Sequence, residues 1–447
     1  MNAVDRPHIR VIGAGLAGCE AAWQAAKAGC AVDLYEMKPI RFSPAHHSAS
    51  FAELVCSNSL RSADPANAVG LLKAELHAVG SLIMEAAYAT AVPAGSALAV
   101  DRNLFSGYIT DKIRSHPLIT VHEQEVTSLD DEEVTVIASG PLTSDALAAA
   151  IRGLLDGYEL YFYDAAAPII DAATVNMDIA YFATRYGKGS PEDYLNCPMT
   201  REEYDAFCDA LLSAETAALK EFDAAAQHDL KVFEGCMPVE VMAARGRDTL
   251  RYGPMKPVGL PLPSTGKEAY AVVQLRRENK EGTMYNLVGF QTHLTFPEQK
   301  RVFRMIPGLE NAEFFRYGVM HRNTYLRSPG CLTETYAMKK NPRIFFAGQM
   351  TGVEGYVESA SSGYVAGLNA AHLASGREAV VFPKITEIGA LAHYISGWTA
   401  GDFQPMNANF GIIEPFPAKI KGGKAARNQA YAERSLSYLR EHFPQNP

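Results

Sequence analysis

The first strongly patterned stretch of the chain is HIRVIGAGLAGCEAAWQAAKAGCAVDLYEMK, residues 8–38. HIRVI is a short apolar run that stops at a glycine-rich turn. An alanine-rich segment, Cys19 to Lys27, follows with helical composition, and a second apolar run, CAVDLYE, ends on Glu36. Short apolar runs bounded by turn residues read as buried strands, so the order is strand, turn, helix, strand. Strand–turn–helix recurs in EEVTVIASGPLTSDALAAAI (132–151) and in NPRIFFAGQMTGVEGYVESASSGYVAGLNAA (341–371). The middle of the chain is patterned differently. It carries an acidic helix-forming run from Thr200 onwards, and AYAVVQLRRENKEGTMYNLVGFQTHL (269–294) reads as two strands joined by the turn ENKEGT. The predicted fold class is α/β, a Rossmann-like nucleotide-binding domain interrupted by a mixed α+β insertion domain. The expected division is 1–165 and 306–447 for the two parts of the first domain, with 166–305 as the insertion.

Composition narrows the class. At 447 residues the chain has room for two or three domains of ~150 residues each. No run approaches the ~18 apolar residues that span a bilayer, and the N-terminus leads into a strand without a signal-peptide layout. The seven cysteines (19, 30, 56, 197, 208, 236 and 331) form no CxxC pair and no Cys/His cluster at zinc spacing. Reduced thiols in a cytoplasmic enzyme are expected, with no metal site, no membrane association and no obligate protein partner. The net charge of −9 argues against general nucleic-acid binding. Local basic clusters remain, at Lys419, Lys421, Lys424, Arg427, Arg434 and Arg440, and in MHRNTYLR (320–327) and YAMKKNPR (336–343).

Gly13, Gly15 and Gly18 form GxGxxG directly after the first strand. Gly13 permits a tight turn, Gly15 lets a pyrophosphate reach the backbone, and Gly18 lets helix and strand pack closely. The helix N-terminus offers free N–H groups to phosphate. Glu36 stands eighteen residues after Gly18, placed to accept hydrogen bonds from a ribose diol. Residues 132–151 resemble the strand–turn that closes many flavoprotein nucleotide domains. Residues 341–371 resemble the second FAD motif of two-dinucleotide-binding flavoproteins. FAD is therefore the expected cofactor. The expected contacts are Gly13, Ala14, Gly15, Leu16, Ala17, Gly18, Glu36, Asn58, Ser59, Val126, Gly348, Gln349, Gly355 and Tyr356. No second GxGxxG follows a strand, so NAD(P)H would bind without a fingerprint of its own.

Two cysteines have settings suited to chemistry. Cys56 lies in ELVCSNSLRS and Cys236 in VFEGCMPVE. A thiol acts as thiolate, so a catalytic cysteine needs a nearby base or cation, which sequence does not display. Buried packing is the plainer reading for both on composition. Cys19, Cys30, Cys208 and Cys331 read as structural, and Cys197 stays open. His293 and His321 read as structural histidines.

The three nucleotide segments, together with ELVCSNSLRS, FEGCMPVE, LVGFQTHLTFPEQKRVFRMIPGLENAEFFRYGVMHRN and FFAGQMTGVEGYVESASSG, resemble the TrmFO family of bacteria. These are folate- and FAD-dependent tRNA (uracil-5-)-methyltransferases. The same core is similar to the flavoprotein that modifies the tRNA wobble uridine, which carries a long additional C-terminal helical region. The resemblance implies transfer of a one-carbon unit from 5,10-methylenetetrahydrofolate to uridine C5 in the T loop of tRNA. Hydride would come from reduced FAD and reducing power from NAD(P)H, with tetrahydrofolate released. It implies Cys236 as the nucleophile at C6 and Cys56 as the base at C5. It leaves Lys421 and Lys424 for the folate tail or RNA phosphate. The same chemistry on ribosomal RNA, a small-molecule flavin oxidoreductase, and a non-catalytic RNA-binding flavoprotein are the alternatives.

Overall fold

The computed structural model of the chain describes residues 6–130, 132–155, 159–165, 167–187, 189–217, 237–277, 282–318, 320–397, 403, 405–418 and 420–443. Strand β1 (His8–Ile12) is the centre of a five-stranded sheet. β2 (Ala31–Glu36) pairs with it on one side and Thr135–Ile137 on the other. Ile119–Glu123 and Ile344–Phe346 complete the edges, and every pairing is parallel. This is the α/β class read from the periodicity. The strand order reverses beside β1, which opens a crevice at the carboxyl ends of the strands.

Helix α1 (Leu16–Lys27) begins four residues after β1 ends, and two glycines make that possible. Gly13 has φ +99°, and a Cβ there would lie 2.6 Å from the Ala138 carbonyl oxygen. At Gly18 a Cβ would fall 1.8 Å from the Gly13 oxygen.

Close approach recurs where α1 meets the long helix Tyr356–Ala374. A Cβ on Gly363 would sit 2.2 Å from the Ala17 oxygen, and one on Gly367 would sit 2.4 Å from the Ala21 oxygen. Both pairs advance in the same direction, so the two helices run parallel. Their N-termini therefore point toward the same end of the sheet. The longer helix begins seven residues before Gly363, about 10 Å beyond the level of Ala17 at 1.5 Å per residue.

The insertion is built on a second, six-stranded antiparallel sheet. Its order is Tyr181–Phe182, Tyr194–Met199, Ala271–Arg277, Met284–Leu287, Ile169–Asp171 and Phe314–Arg316. The acidic run becomes the helix Arg201–Leu212, capped by Thr200 and Glu203 in a reciprocal capping box. Phe314–Arg316 lies past the expected edge at 305 because it pairs with Ile169–Asp171. Glu159–Ala165 and Met320–Leu326 pair antiparallel, so the chain enters and leaves the insertion through one two-stranded ribbon. Among the described residues, no helix is long and apolar enough to cross a membrane.

Two buried carboxylates tie the helical layer together by accepting N–H groups at helix starts, beside the Ser81 and Thr386 hydroxyls that take the Met84 and Gly389 N–H groups there. Glu20, on α1, accepts from the Ser81 hydroxyl (2.6 Å) and the Ile83 N–H (3.0 Å) at the start of Leu82–Ala89. Glu75 accepts from the Glu387 and Ile388 N–H groups, both at 2.8 Å, at the start of Glu387–Gly397. It also accepts from the Ser435 hydroxyl on the C-terminal helix Gly423–His442. Burial outweighs these three donors and pushes the Glu75 carboxyl up to about 7. Unfolded, it would ionise near pH ~4.3. The folded state thus holds an extra proton between those values and loses stability as pH rises through that window. Glu75→Gln cannot lose that proton. Its Tm relative to the wild type should climb from about pH 5 to about pH 8 in thermal denaturation. A difference that stays flat with pH would show that Glu75 ionises no differently in the fold.

Candidate active site

The crevice at the carboxyl end of the first sheet contains two adjoining cavities, of about 900 and about 380 Å³. Gly13, Ala14, Gly15, Leu16, Ala17, Glu36, Gly348, Gln349 and Tyr356 line the larger one. Glu36, Val126 and Leu147 border the smaller, and Gly13, Met37 and Ser139 line both. Of the expected cofactor contacts, Gly18 and Gly355 are structural neighbours of this surface. Gly18 is pressed against Gly13, and Gly355 caps the long helix at φ +125°. Asn58 and Ser59 do not line the cavity. Asn58 is fully buried and engaged by protein groups: its amide donates to the Val100 and Arg277 oxygens, and its oxygen accepts from Arg276.

The donor set fits a dinucleotide such as FAD. Gly15 has ordinary backbone angles (φ −75°), yet no protein atom lies within 4 Å of where its Cβ would be. Its missing side chain therefore leaves an opening to the cavity rather than relieving a clash. The N-termini of α1 and of Tyr356–Ala374 both lack side-chain caps. Their N–H groups and positive dipole ends are available to anionic or polarised oxygen atoms. The Glu36 carboxylate takes the Ala14 N–H at 2.8 Å and the Lys38 N–H at 3.0 Å, so it orders the glycine turn at the cavity edge. Gly15, Glu36 and Tyr356 are the residues of this surface that would hold such a group.

Further polar groups in the larger cavity were not legible in the sequence, because the segment after Glu36 has no periodicity or motif. Lys38 is nearly buried, donates to the Ser50 oxygen at 2.6 Å and stands 3.8 Å from Glu53. Ser43 and His46 are hydrogen-bonded at 2.5 Å, and burial followed by the Lys38 charge lowers the His46 pKa. Lys38, Ser43, His46 and Glu53 all line the cavity.

Cys56 stands next to Val55, which lines this cavity. Its N–H donates to the Tyr356 hydroxyl at 2.7 Å, and the Ser57 N–H donates to the same oxygen at 3.2 Å. Among the described cysteines, five are buried and only Cys56 is partly exposed. Burial pushes the Cys197 thiol up to about 12 and Cys331 up to about 11, and it raises Cys19, Cys30 and Cys208 as well. Those five are held as neutral thiols. Cys236 lies outside the described residues; the helix Val239–Ala244 follows it.

Arg61, five residues beyond Cys56, adopts φ +66°, a left-handed conformation uncommon for a side-chain-bearing residue. Its guanidinium pairs with the fully buried Glu358 in the first turn of the long helix. Lys73 is buried close by, and desolvation followed by the Arg61 charge pulls it down to about 7. In the insertion, the His293 backbone N–H donates to the buried Glu240 at 2.9 Å, and the His293 ring Nδ1 stands 2.5 Å from the same carboxylate. For His321 the strand Met320–Leu326 gives a backbone position only. Lys421, Lys424 and Arg427 border an open basic cleft with Phe416 and Tyr431, while Lys419 lies outside the described residues.

Gly15 and Gly18 separate cofactor binding from folding. Gly15→Ala should leave apoprotein Tm unchanged while weakening FAD binding in a fluorescence titration, since its Cβ meets only the cavity. Gly18→Ala should destabilise the apoprotein itself by about 1–3 kcal/mol, because its Cβ has nowhere to go. Equal losses of stability in both variants would put Gly15 in the packing and not at the ligand.

The family model described as "GIDA: Glucose inhibited division protein A" matches residues 8–378. A relative from Acetivibrio thermocellus, named "Methylenetetrahydrofolate--tRNA-(uracil-5-)-methyltransferase TrmFO", is 59% identical over 435 residues, covering 97% of this chain and 98% of its own. Relatives of the same name from Heliobacterium modesticaldum and Listeria monocytogenes serotype 4b are each 58% identical, covering 98% and 97% of this chain and 98% of their own lengths. Among solved structures, Aquifex aeolicus GidA superposes with a TM-score of 0.70 at 17% identity, covering 99% of this chain and 74% of that one. A second crystal form of it gives 0.69 at 18% identity, covering 98% and 76%. That likeness establishes a shared α/β fold over essentially the whole chain. With a family match across most of its length and near-complete coverage by these relatives, the chain belongs to the GIDA family and, within it, to the TrmFO group.

Proposed function

We propose that this chain is a folate- and FAD-dependent tRNA (uracil-5-)-methyltransferase that forms 5-methyluridine in the T loop. One observation carries the reading. Among the described cysteines only Cys56 is partly exposed, and its backbone N–H is held by the hydroxyl of Tyr356, which lines a cavity suited to a dinucleotide. The names of the relatives supply the substrate class.

Uracil C5 is a weak nucleophile. In the proposed reaction the Cys236 thiolate adds to C6, and C5 then attacks the methylene carbon of 5,10-methylenetetrahydrofolate. Cys56 removes the C5 proton as tetrahydrofolate departs, leaving an exocyclic methylene. FAD held by Gly15, Glu36 and Tyr356 would, once reduced by NAD(P)H, supply the hydride that converts this methylene to methyl. Hydride addition at that carbon expels Cys236 from C6 and restores the ring. The chain's own part is to place Cys56 beside the cofactor ring, keep its other described thiols buried, and order the glycine turn through Glu36. The exposed Lys421, Lys424 and Arg427 provide a surface for RNA phosphate in a chain whose net charge is negative.

The test uses unmodified tRNA, methylenetetrahydrofolate labelled in its one-carbon unit, and NADPH or NADH. Digestion and mass spectrometry should find labelled 5-methyluridine at the T-loop position. Cys236→Ala should abolish it, and Cys56→Ala should lower the rate by about 10²–10⁴-fold with FAD retained. With unmodified ribosomal RNA offered in parallel, label there and none in tRNA would refute the tRNA assignment. Cofactor turnover without RNA, indifferent to Cys236→Ala, would mark a small-molecule oxidoreductase instead.

A further inference from the structure

We propose that Arg276 is a positioning residue for Cys56, through which seating of the insertion sheet sets the thiol's place beside the cofactor cavity. The inference rests on the proposed function for the role of Cys56.

The irregular segment around Cys56 is held by groups from distant parts of the chain. The Cys56 carbonyl accepts from Arg102, at the start of the helix Arg102–Ser115, and from Arg316 in the last strand of the insertion sheet, both at 3.3 Å. Its N–H goes to Tyr356 in the cofactor domain. Arg276, in the insertion strand Ala271–Arg277, donates from Nη2 to the Ser57 hydroxyl at 2.6 Å and from Nε to the Asn58 side-chain oxygen at 3.0 Å. The Asn58 amide in turn donates to the carbonyl of Arg277 at 2.8 Å. Arg276 is 6% exposed and Asn58 is fully buried.

A buried guanidinium is costly unless its donors are used. Here two of its donors meet the two residues that follow Cys56. The planar fork fixes the orientation of the turn as well as its distance, which a lysine ammonium cannot do at two acceptors together. Proton removal from C5 demands hydrogen-bond reach between the thiol and the substrate carbon, so a small rotation of residues 56–58 would be felt in that step. Cys236 belongs to the inserted stretch of chain. Seating the insertion on Ser57 and Asn58 thus makes the placement of the proposed base conditional on the domain that carries the proposed nucleophile.

The experiment uses the full FAD-loaded chain with Arg276→Gln and Arg276→Lys. FAD content and Tm are recorded for each. Alkylation of Cys56 by iodoacetamide is followed by peptide mass spectrometry. Methyl transfer is then measured with tRNA carrying uridine or 5-deuterouridine. Arg276→Gln should speed Cys56 alkylation about tenfold by freeing the turn, and lower kcat by a similar factor with KM for tRNA unchanged. The deuterium isotope effect should grow, because proton removal becomes the slow step. Arg276→Lys should fall between this variant and the wild type. Alkylation within about twofold of the wild type in both variants would overturn the proposal. So would a fall in kcat explained fully by lost FAD. Faster alkylation in variants of a wild type that transfers no methyl group would uphold the positioning and refute the proposed reaction.

Discussion

The contact on which the site depends is the side-by-side packing of α1 and Tyr356–Ala374 without intervening side chains. Gly363 lies on Ala17 and Gly367 on Ala21. Larger residues would force the axes apart, and interaxial distance follows directly from side-chain size at the crossing. Because the helices are parallel, their positive N-terminal ends serve one cavity at different depths. One lies at the glycine turn after β1. The other brings Tyr356 to the Cys56 segment. A single packing constraint thereby sets the distance between the two helix N-termini along the crevice.

Charge is distributed so that this arrangement persists. Glu20 and Glu75 accept otherwise orphan N–H groups at helix starts in the interior. Glu358, fully buried in the first turn of the long helix, is paired by Arg61 and also accepts the Ala408 N–H at 3.0 Å. Arg61 holds an unusual backbone conformation to make that pair, and Gly355 has no side chain that would obstruct it: a Cβ there would lie 2.7 Å from an Arg61 nitrogen. Such locally costly conformations persist only where the surroundings over-determine them.

The thiols show how burial divides chemistry from packing. A thiol in an apolar interior stays protonated and inert, whatever its neighbours in sequence. Five described cysteines are in that state. Cys56 differs because its segment runs between two domains and is held by hydrogen bonds at both backbone and side chains.

Periodicity and glycine spacing by themselves determined the first βαβ unit, a later strand–turn–helix near residue 344, an intervening stretch of another class, and the glycine turn. These are local matters, governed by backbone conformation and by a 2- or 3.6-residue repeat. The sequence also marked Glu36, Val126, Gln349 and Tyr356, which line the crevice. Only the tertiary structure decided that Asn58 faces Arg276 and Arg277 instead of the cavity, and that Phe314–Arg316 belongs to the insertion sheet. It likewise brought Lys38, Ser43 and His46 into the crevice. The reason is physical: a polar side chain in an irregular segment has no periodicity to declare its direction. Its partner is chosen by whichever distant element packs there, here a strand 218 positions away.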